Sequence, residues 1–540
     1  MRFRLIIDIT NNRTFLNGRI KKIYSDEIHV VYLDGWVDHN GIEKLISDSQ
    51  PLPGTYNLII INKPLKKVFF KNDFLGHRPL YFKLEESELI VSDNFWSVFQ
   101  KTKSSIIDDE TFDQLTYFTR IAPSYKTFVK DLFSLPAGSI ASIDLISNSI
   151  DIKNTFAMIQ KENNDLSLDD VVDELHLGIA KVFEKIAEQT NTIWYGNSGG
   201  LDSRIIPAYA KKYGIKSKGY LICNKYKNFN SLIRFKSQSY HSALNIAKFY
   251  GDDLIVSNYD QGNLYDSILR DIYVNPTGQA NYHKNVNFRD YLDRFIVNGG
   301  SSFTMTNDTS EWKNNSFINN PIESVVNSSL SRHSKDGSNE IRNHLPAYLE
   351  KVSEEIGGIV PDNDYFSTIR TIYQKIKNQR SAMGAFESMS FAGDFQYIYH
   401  PFVSAKSLNW PISYFYNRKI QNVFFKKYHP GISRIPDQGS NRFENGFLSP
   451  LLRKFDRRFR GTGLDYEIWV NSIFSIKNLN LLDDKFKHKE IVINFDGLIN
   501  RHGNYNRSQH FLDLLKMEIL QKILKQSRTD IFDHIHEETV

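Results

Sequence analysis

Among its 540 residues the chain holds a single cysteine, Cys223, so on its own it can build no intrachain disulfide, thiolate metal cage or iron–sulfur cluster. It also lacks the run of about 18 apolar residues that a membrane-spanning helix requires. Its first residues, MRFRLIIDIT, do not contain the long apolar core of a secretory signal. Charge of one sign is scarce: 67 Lys and Arg against 62 Asp and Glu leave a formal net charge of +5. Spread over such a length, this bias points to neither nucleic acid nor a membrane surface as a partner. No segment recurs at a fixed period, which argues against a solenoid. Together these absences lead us to expect a soluble, cytoplasmic protein.

Apolar residues, by contrast, are plentiful. A hydrophobic fraction of 41% and an aromatic fraction of 13% are enough to fill several cores, which excludes a largely disordered chain. At roughly 150 residues per domain, the length implies two to four domains.

Over the first 150 or so residues, short runs rich in β-branched and aromatic side chains alternate with Asp, Gly, Pro and Asn. Examples are Phe3 to Ile9, Ile28 to Leu33, Tyr56 to Asn62, Lys67 to Lys71 and Glu88 to Val91. This is the pattern of an antiparallel β-rich region. After the polar stretch KENND the period changes. Ser167 followed three residues later by Asp170 has the form of a capping box. Apolar residues then recur at Leu168, Val171, Val172, Leu175, Ile179, Val182, Phe183 and Ile186, one face of a long helix. Strands are expected at Thr192 to Tyr195, Tyr220 to Cys223, Leu254 to Ser257 and Arg294 to Val297, with helices between them, which implies a parallel α/β sheet. Residues 310–339 are rich in Ser and Asn and read as a surface insertion, 362–410 read as helical, and an amphipathic helix is expected near Phe511 to Leu524.

The sharpest chemical signal is Ser198-Gly199-Gly200-Leu201-Asp202-Ser203, placed between an expected strand and an expected helix. Small residues let backbone N–H groups approach a phosphate, and a helix N-terminus adds about half a positive charge. Asp202 would repel phosphate directly, yet it can hold a Mg²⁺ that bridges the two, so the combination asks for a metal–nucleotide. The loop lacks the Gly-Lys-Ser/Thr ending of a P-loop and the spacing of a dinucleotide fingerprint. An ordinary Gly-rich turn capped by Ser198 and Asp202 is the alternative.

This segment resembles the pyrophosphate-binding loop of the asparagine synthetase family, ATP pyrophosphatases that adenylate a carboxylate and let an amine displace AMP. Further stretches resemble the same family. Asp73-Phe74-Leu75-Gly76-His77-Arg78-Pro79-Leu80-Tyr81-Phe82 and Ser134-Leu135-Pro136-Ala137-Gly138 are similar to motifs of its glutaminase domain. Ala243 and Ala247 before Gly251, and His400-Pro401-Phe402, are similar to parts of its synthetase domain. The resemblance implies an α/β protein. Residues 1–155 would be an antiparallel Ntn-type amidotransferase-like domain, 165–450 a parallel-sheet, HUP-like ATP-pyrophosphatase domain, and 451–540 a helical C-terminal extension. It also implies ATP and Mg²⁺ as cofactors. Ser198, Gly199, Gly200, Leu201, Asp202 and Ser203 would lie around the pyrophosphate, backbone at Gly196 and Ile222 near adenine, and Asn298 and Gly299 against the nucleotide. Asp202 would be the metal ligand, and Arg380 and Arg442 are candidate cations near the reacting acyl group.

Where the chain departs from the family, the function narrows. The family's glutaminase nucleophile is a cysteine at position 2, where this chain has Arg2, whose guanidinium stays protonated and non-nucleophilic. Asp34-Gly35-Trp36 stands in place of the family's Asn-Gly-Glu, and Pro53 replaces an acidic residue. In the segment Asn298 to Thr304 the glycines are kept and both carboxylates of the family's loop are replaced. The expected activity is an AMP-forming amide ligase without its own glutaminase. It would join a small-molecule, peptide or sugar-acid carboxylate to an amine donor, with a homo-oligomer left open. A nucleotide-binding pseudoenzyme or partner-binding module is the second reading. His534, His536 and Glu537 read as a frayed terminus and Arg453 to Arg460 as a solvated face.

Overall fold

The computed structural model describes residues 4–8, 13–18, 20–37, 41–47, 52, 54–73, 76, 78–86, 88–101, 106–109, 112, 127–154, 163–222, 226–228, 234–236, 238–257, 264–274, 276, 295–298, 346–347, 395–397, 410–414, 419–432, 435, 482, 484–487, 489–493, 508–526 and 532. Within them the chain is α/β, with antiparallel sheets first and a parallel sheet later.

The N-terminal strands are β1 (Arg4–Asp8), β2 (Arg13–Asn17), β3 (Lys21–Ser25), β4 (His29–Val37), β5 (Gly54–Asn62), β6 (Lys67–Asn72), β7 (Tyr81–Glu85), β8 (Glu88–Ser92), β9 (Phe133–Ser134), β10 (Ser139–Asp144) and β11 (Ser149–Asn154), with short helices α1 (Ile42–Ser47) and α2 (Phe95–Phe99). They form two antiparallel sheets, ordered β2-β1-β8-β7-β9 and β11-β10-β6-β5-β4-β3. Alternation explains how the sheets stack. Leu5, Ile7, Leu89, Val91 and Phe82 of the first meet Ile59, Ile61, Val68, Phe70, Ala141 and Ile143 of the second in one core. On the far face of β5, Tyr56, Leu58 and Ile60 pack with Val31 and with Leu45 of α1. With α1 on one face and the other sheet on the opposite one, β5 is buried on both sides, and its second half, Leu58 to Ile61, is a continuous apolar run.

Helix α3 (Leu168–Gln189) begins where the capping box predicts: Asp170 N–H donates to Ser167 Oγ at 3.1 Å and Ser167 N–H to Asp170 Oδ2 at 3.0 Å. Its apolar stripe is buried against a parallel sheet. This sheet contains β12 (Thr192–Gly196), β13 (Lys216–Ile222), β16 (Asp253–Ser257), β17 (Ile296–Asn298) and β18 (Phe395–Tyr397), in the order β16-β13-β12-β17-β18. Helices α4 (Leu201–Lys212), α5 (Gln238–Tyr250) and α6 (Leu264–Val274) lie between its strands in sequence, and a small hairpin, β14 (Tyr226–Asn228) with β15 (Arg234–Lys236), precedes α5. β18 falls inside the stretch expected to be helical; three residues are too few to leave a readable period, and the rest of 362–409 lies outside the described residues.

Later segments cover the same core. Trp410 is fully buried and its indole N–H donates to Glu174 at 2.9 Å, while the Tyr414 hydroxyl donates to the Leu166 carbonyl at 3.0 Å. Helix α7 (Lys419–Tyr428) sets Phe424 and Phe425 into it, and the Tyr428 hydroxyl donates to Asp173 at 2.6 Å. Helix α8 (Ser508–Lys525) stands where a helix is expected near the C-terminus, but rather than one amphipathic face it buries Leu515, Lys516, Met517, Ile519, Leu520, Ile523 and Leu524 around more than half of its circumference. It is joined to α6 by a buried ion pair, Lys516 to Asp271, at 3.1 Å. Two tryptophans of the N-terminal region reach across: Trp36 of β4 enters the α3 core, and the Trp96 indole N–H of α2 donates to the Ile272 carbonyl at 3.1 Å. No helix among the described residues is long and apolar enough to cross a membrane.

His429, just past α7, packs against Tyr209, Phe424 and Phe425. Burial first, then the neighbouring His176 and Lys212, lower its pKa from 6.5 to about 4. The unfolded chain therefore takes up a proton that the folded chain refuses. The corresponding stability is intact above about pH 7, erodes as pH falls from about 6.5 to about 4, and is constant below that. In urea titrations across this window, His429→Gln should flatten the pH dependence by up to one proton; an unchanged slope would contradict this assignment.

Candidate active site

The sheet order decides where a ligand can sit. From β12 the chain proceeds outward through β13 to β16, then returns to the opposite flank of β12 as β17. At such a switch point the connections leaving the carboxyl ends of neighbouring strands run in opposite directions and open a crevice. Gly196, Ile222 and Asn298 are the last residues of β12, β13 and β17, so all three stand at this edge. The loop 197–200 issues from the centre of it.

Local geometry then shapes the loop. Gly199 has φ +77°, a left-handed conformation that favours glycine. Gly200 is the N-cap of α4 and provides no side-chain cap, so the first N–H groups of the helix receive none from it. The Ser198 hydroxyl is exposed and accepts from Gly200 N–H at 3.3 Å, and the buried Ser203 hydroxyl donates to the Gly200 carbonyl at 3.0 Å. Leu201 and Asp202 open α4, but their side chains lie outside the described residues, as do those of Ile222 and Asn298. Gly299, Arg380 and Arg442 lie outside them altogether, as do Arg2, Pro53, Cys223, Arg453 to Arg460, His534, His536 and Glu537. Among the described residues no group of three or more His, Cys, Asp or Glu side chains is gathered for a metal.

Three supports of the loop were not visible to motif reading. Asn197 is fully buried; its side-chain oxygen accepts from Gly199 N–H at 3.3 Å and its amide donates to the Ala243 carbonyl of α5 at 3.0 Å. Gly219, opposite Tyr195 in β13, leaves the room for this: a Cβ there would lie 3.2 Å from Asn197 Cβ and 3.3 Å from the Tyr195 hydroxyl. That hydroxyl donates to Asp252 at 3.1 Å, and Ser217 donates to the same carboxylate oxygen at 2.8 Å. Burial raises the pKa of Asp252 against the pull of both donors, and burial with the adjacent carboxylate raises that of Tyr195. The third support, Arg204, is buried and donates to the Gly199 carbonyl at 3.2 Å. The only sequence signal for Asn197 and Arg204 was adjacency to the motif.

A second polar centre lies in the N-terminal sandwich. Arg78 donates to Asp34 at 2.8 Å, with both side chains buried. Gly35 has φ +100°, and a Cβ on it would fall 2.0 Å from the Thr55 carbonyl oxygen and 2.6 Å from Arg78 Nε. The guanidinium thus lies against the bare glycine of the Asp34 to Trp36 stretch.

Residues 42–153 match the family model of a glutamine amidotransferase domain. This bears out the resemblance drawn from the Asp73 to Phe82 and Ser134 to Gly138 segments. A search of curated proteins returns no match. Among solved structures the chain is similar to an NMN synthetase from Francisella tularensis, at 14% identity over 27% of this chain and 59% of that one, with a TM-score of 0.18. It is also similar to a glutamine phosphoribosylpyrophosphate amidotransferase from B. subtilis complexed with ADP and GMP, at 9% identity over 45% of this chain and 73% of that one, with a TM-score of 0.17. The chain therefore spans less than two thirds of the synthetase's length, and superpositions this loose add nothing to the fold described above.

Replacing Asn197 with Ala strips a buried acceptor from Gly199 N–H and a donor from Ala243. The expected loss is about 1–3 kcal/mol of stability, read from urea midpoints; a midpoint within error of the parent would show that the loop does not depend on this side chain.

Proposed function

We propose that the chain is an ATP-dependent, AMP-forming amide ligase of the asparagine synthetase type. The observation that supports this best is the glycine-rich loop at the switch point of the parallel sheet, where α4 begins without a side-chain cap. Uncapped N–H groups at a helix start, joined by hydroxyls at Ser198 and Ser203, suit a pyrophosphate. Gly196 and Ile222 at neighbouring strand ends suit an adenine read through backbone, and Asn298 and Gly299 a contact from the far side. Asp202 would hold Mg²⁺, which supplies charge neutralisation between phosphate oxygens. The loop's part is to fix the phosphates so that the α-phosphorus is open to in-line attack by a substrate carboxylate, a step that asks for positioning and charge rather than covalent help from protein. Arg380 and Arg442 are the candidate cations for the acyl-adenylate.

The amine is proposed to come from outside the N-terminal domain. Arg2 offers no nucleophile, and the Asp34–Arg78 pair fills polar space beside Gly35 with the protein's own ions. Ring closure within one substrate, conjugation of two, or amidation of a sugar acid by ammonia all fit. The replaced carboxylates in 298–304 favour a second reading, a nucleotide-binding pseudoenzyme.

Calorimetry should detect Mg·ATP binding by the parent chain that weakens at least about tenfold in Asp202→Ala, and a panel of carboxylates should stimulate pyrophosphate release. Binding without any release supports the pseudoenzyme, and no binding removes the nucleotide site. Separately, glutamine labelled at its amide nitrogen should pass none of that label to product; transfer would restore a working glutaminase.

A further inference from the structure

Arg204 stands in the first turn of α4, yet it does not face solvent; only 1% of it is exposed. One guanidinium nitrogen donates to the Gly199 carbonyl at 3.2 Å. The other terminal nitrogen, Nη1, donates to the Ile432 carbonyl at 3.3 Å and to the Ile435 carbonyl. These last two acceptors belong to the turns that follow α7, where Ile432 N–H bonds to His429 and Ile435 N–H to Ile432. A single planar cation thus bridges the loop after β12 and a segment more than two hundred residues later.

The contact with Gly199 has a stereochemical consequence. In a trans peptide the C=O and the following N–H point in opposite directions. With the Gly199 carbonyl turned inward onto Arg204, the Gly200 N–H must turn outward, to the side where the exposed Ser198 hydroxyl meets it. Asn197 acts on the preceding peptide by accepting from Gly199 N–H. Both peptides of the glycine pair are therefore set from beneath, and holding the inward carbonyl keeps the Gly200 N–H on the outer side, where an anion would compete with the Ser198 oxygen for it.

We infer that Arg204 is a positioning residue that orients the Gly199–Gly200 peptide for anion binding and makes the loop and the 432–435 turn a single opening unit. The anion-binding half of this rests on the reading of the loop given above; the coupling half does not. Geometry rather than charge carries the role. A lysine would keep the positive charge but has no rigid fork with which to span carbonyls on two segments.

The test is Arg204→Lys, studied first without ligand. Amide hydrogen exchange at residues 199–203 and at Ile432 and Ile435 should rise together, by about tenfold or more, while the sheet strands keep their protection. Mg·ATP affinity, measured where the variant is fully folded, should fall about tenfold or more. Unchanged loop exchange, or a rise in one segment alone, would overturn the coupling; parental affinity in a folded variant would overturn the positioning role. Should the variant not fold, the parent chain decides the coupling. Native-state exchange at low urea should show both segments opening with the same free energy and urea dependence, and separate openings would refute it. If the parent itself fails to bind Mg·ATP, the ligase reading falls, while the exchange measurements still judge Arg204.

Discussion

The pairing of β17 on the opposite flank of β12 from β13 is the constraint on which the candidate site depends. Had the chain continued outward past β16, the connection after β12 would be packed between crossovers running the same way, and no crevice would open there. Because the chain turns back, the loop after β12 emerges into a gap. The helix start it feeds is aimed into that gap, and three strand ends stand around it. Everything else near the site serves this arrangement. Gly219 makes room for Asn197, Asn197 and Arg204 hold the glycine peptides, and the Tyr195–Asp252–Ser217 group ties β12 and β13 to the turn before β16.

The N-terminal sandwich combines apolar cores with a buried polar pair. Two stacked sheets with a helix on the outer face account for the burial of β5 on both sides, and residues 42–153 of this region match the glutamine amidotransferase family model. Inside it, Asp34 and Arg78 form a buried ion pair beside Gly35. Such a pair adds little net stability, because desolvation offsets most of the attraction, but removing one partner strands a buried charge. Each charge therefore depends on the other for its place in the interior. Trp36 and Trp96 carry the sandwich's packing into the cores of the later elements, which gives it a structural use independent of catalysis.

The helix α3 shows how far periodicity can be read. Its cap and its stripe both follow from residues within four positions of one another, and local spacing is what a sequence displays. Strands β2 and β3 show the opposite. They lie at sheet edges, their side chains are nearly all exposed, and with no burial to alternate they leave no period to see. β18 is too short to register. In the site, Ser198 to Ser203 was legible because small residues between a strand and a helix are a local pattern. Asn197 and Arg204 were not, since each acts through partners on α5 or beyond α7 that no spacing rule connects.

By itself the sequence determined the class of the fold, the amphipathic face of α3 and the presence of a small-residue loop between a strand and a helix, all properties of neighbouring residues. The tertiary structure alone decided the strand order that opens the crevice, the inward turn of the Gly199 carbonyl, and the burial of Arg78 and Arg204 against acceptors far along the chain. The physical reason is range. Backbone preference and hydrophobic period act over a few residues, whereas a buried charge is stable only where distant segments bring their oxygens to it.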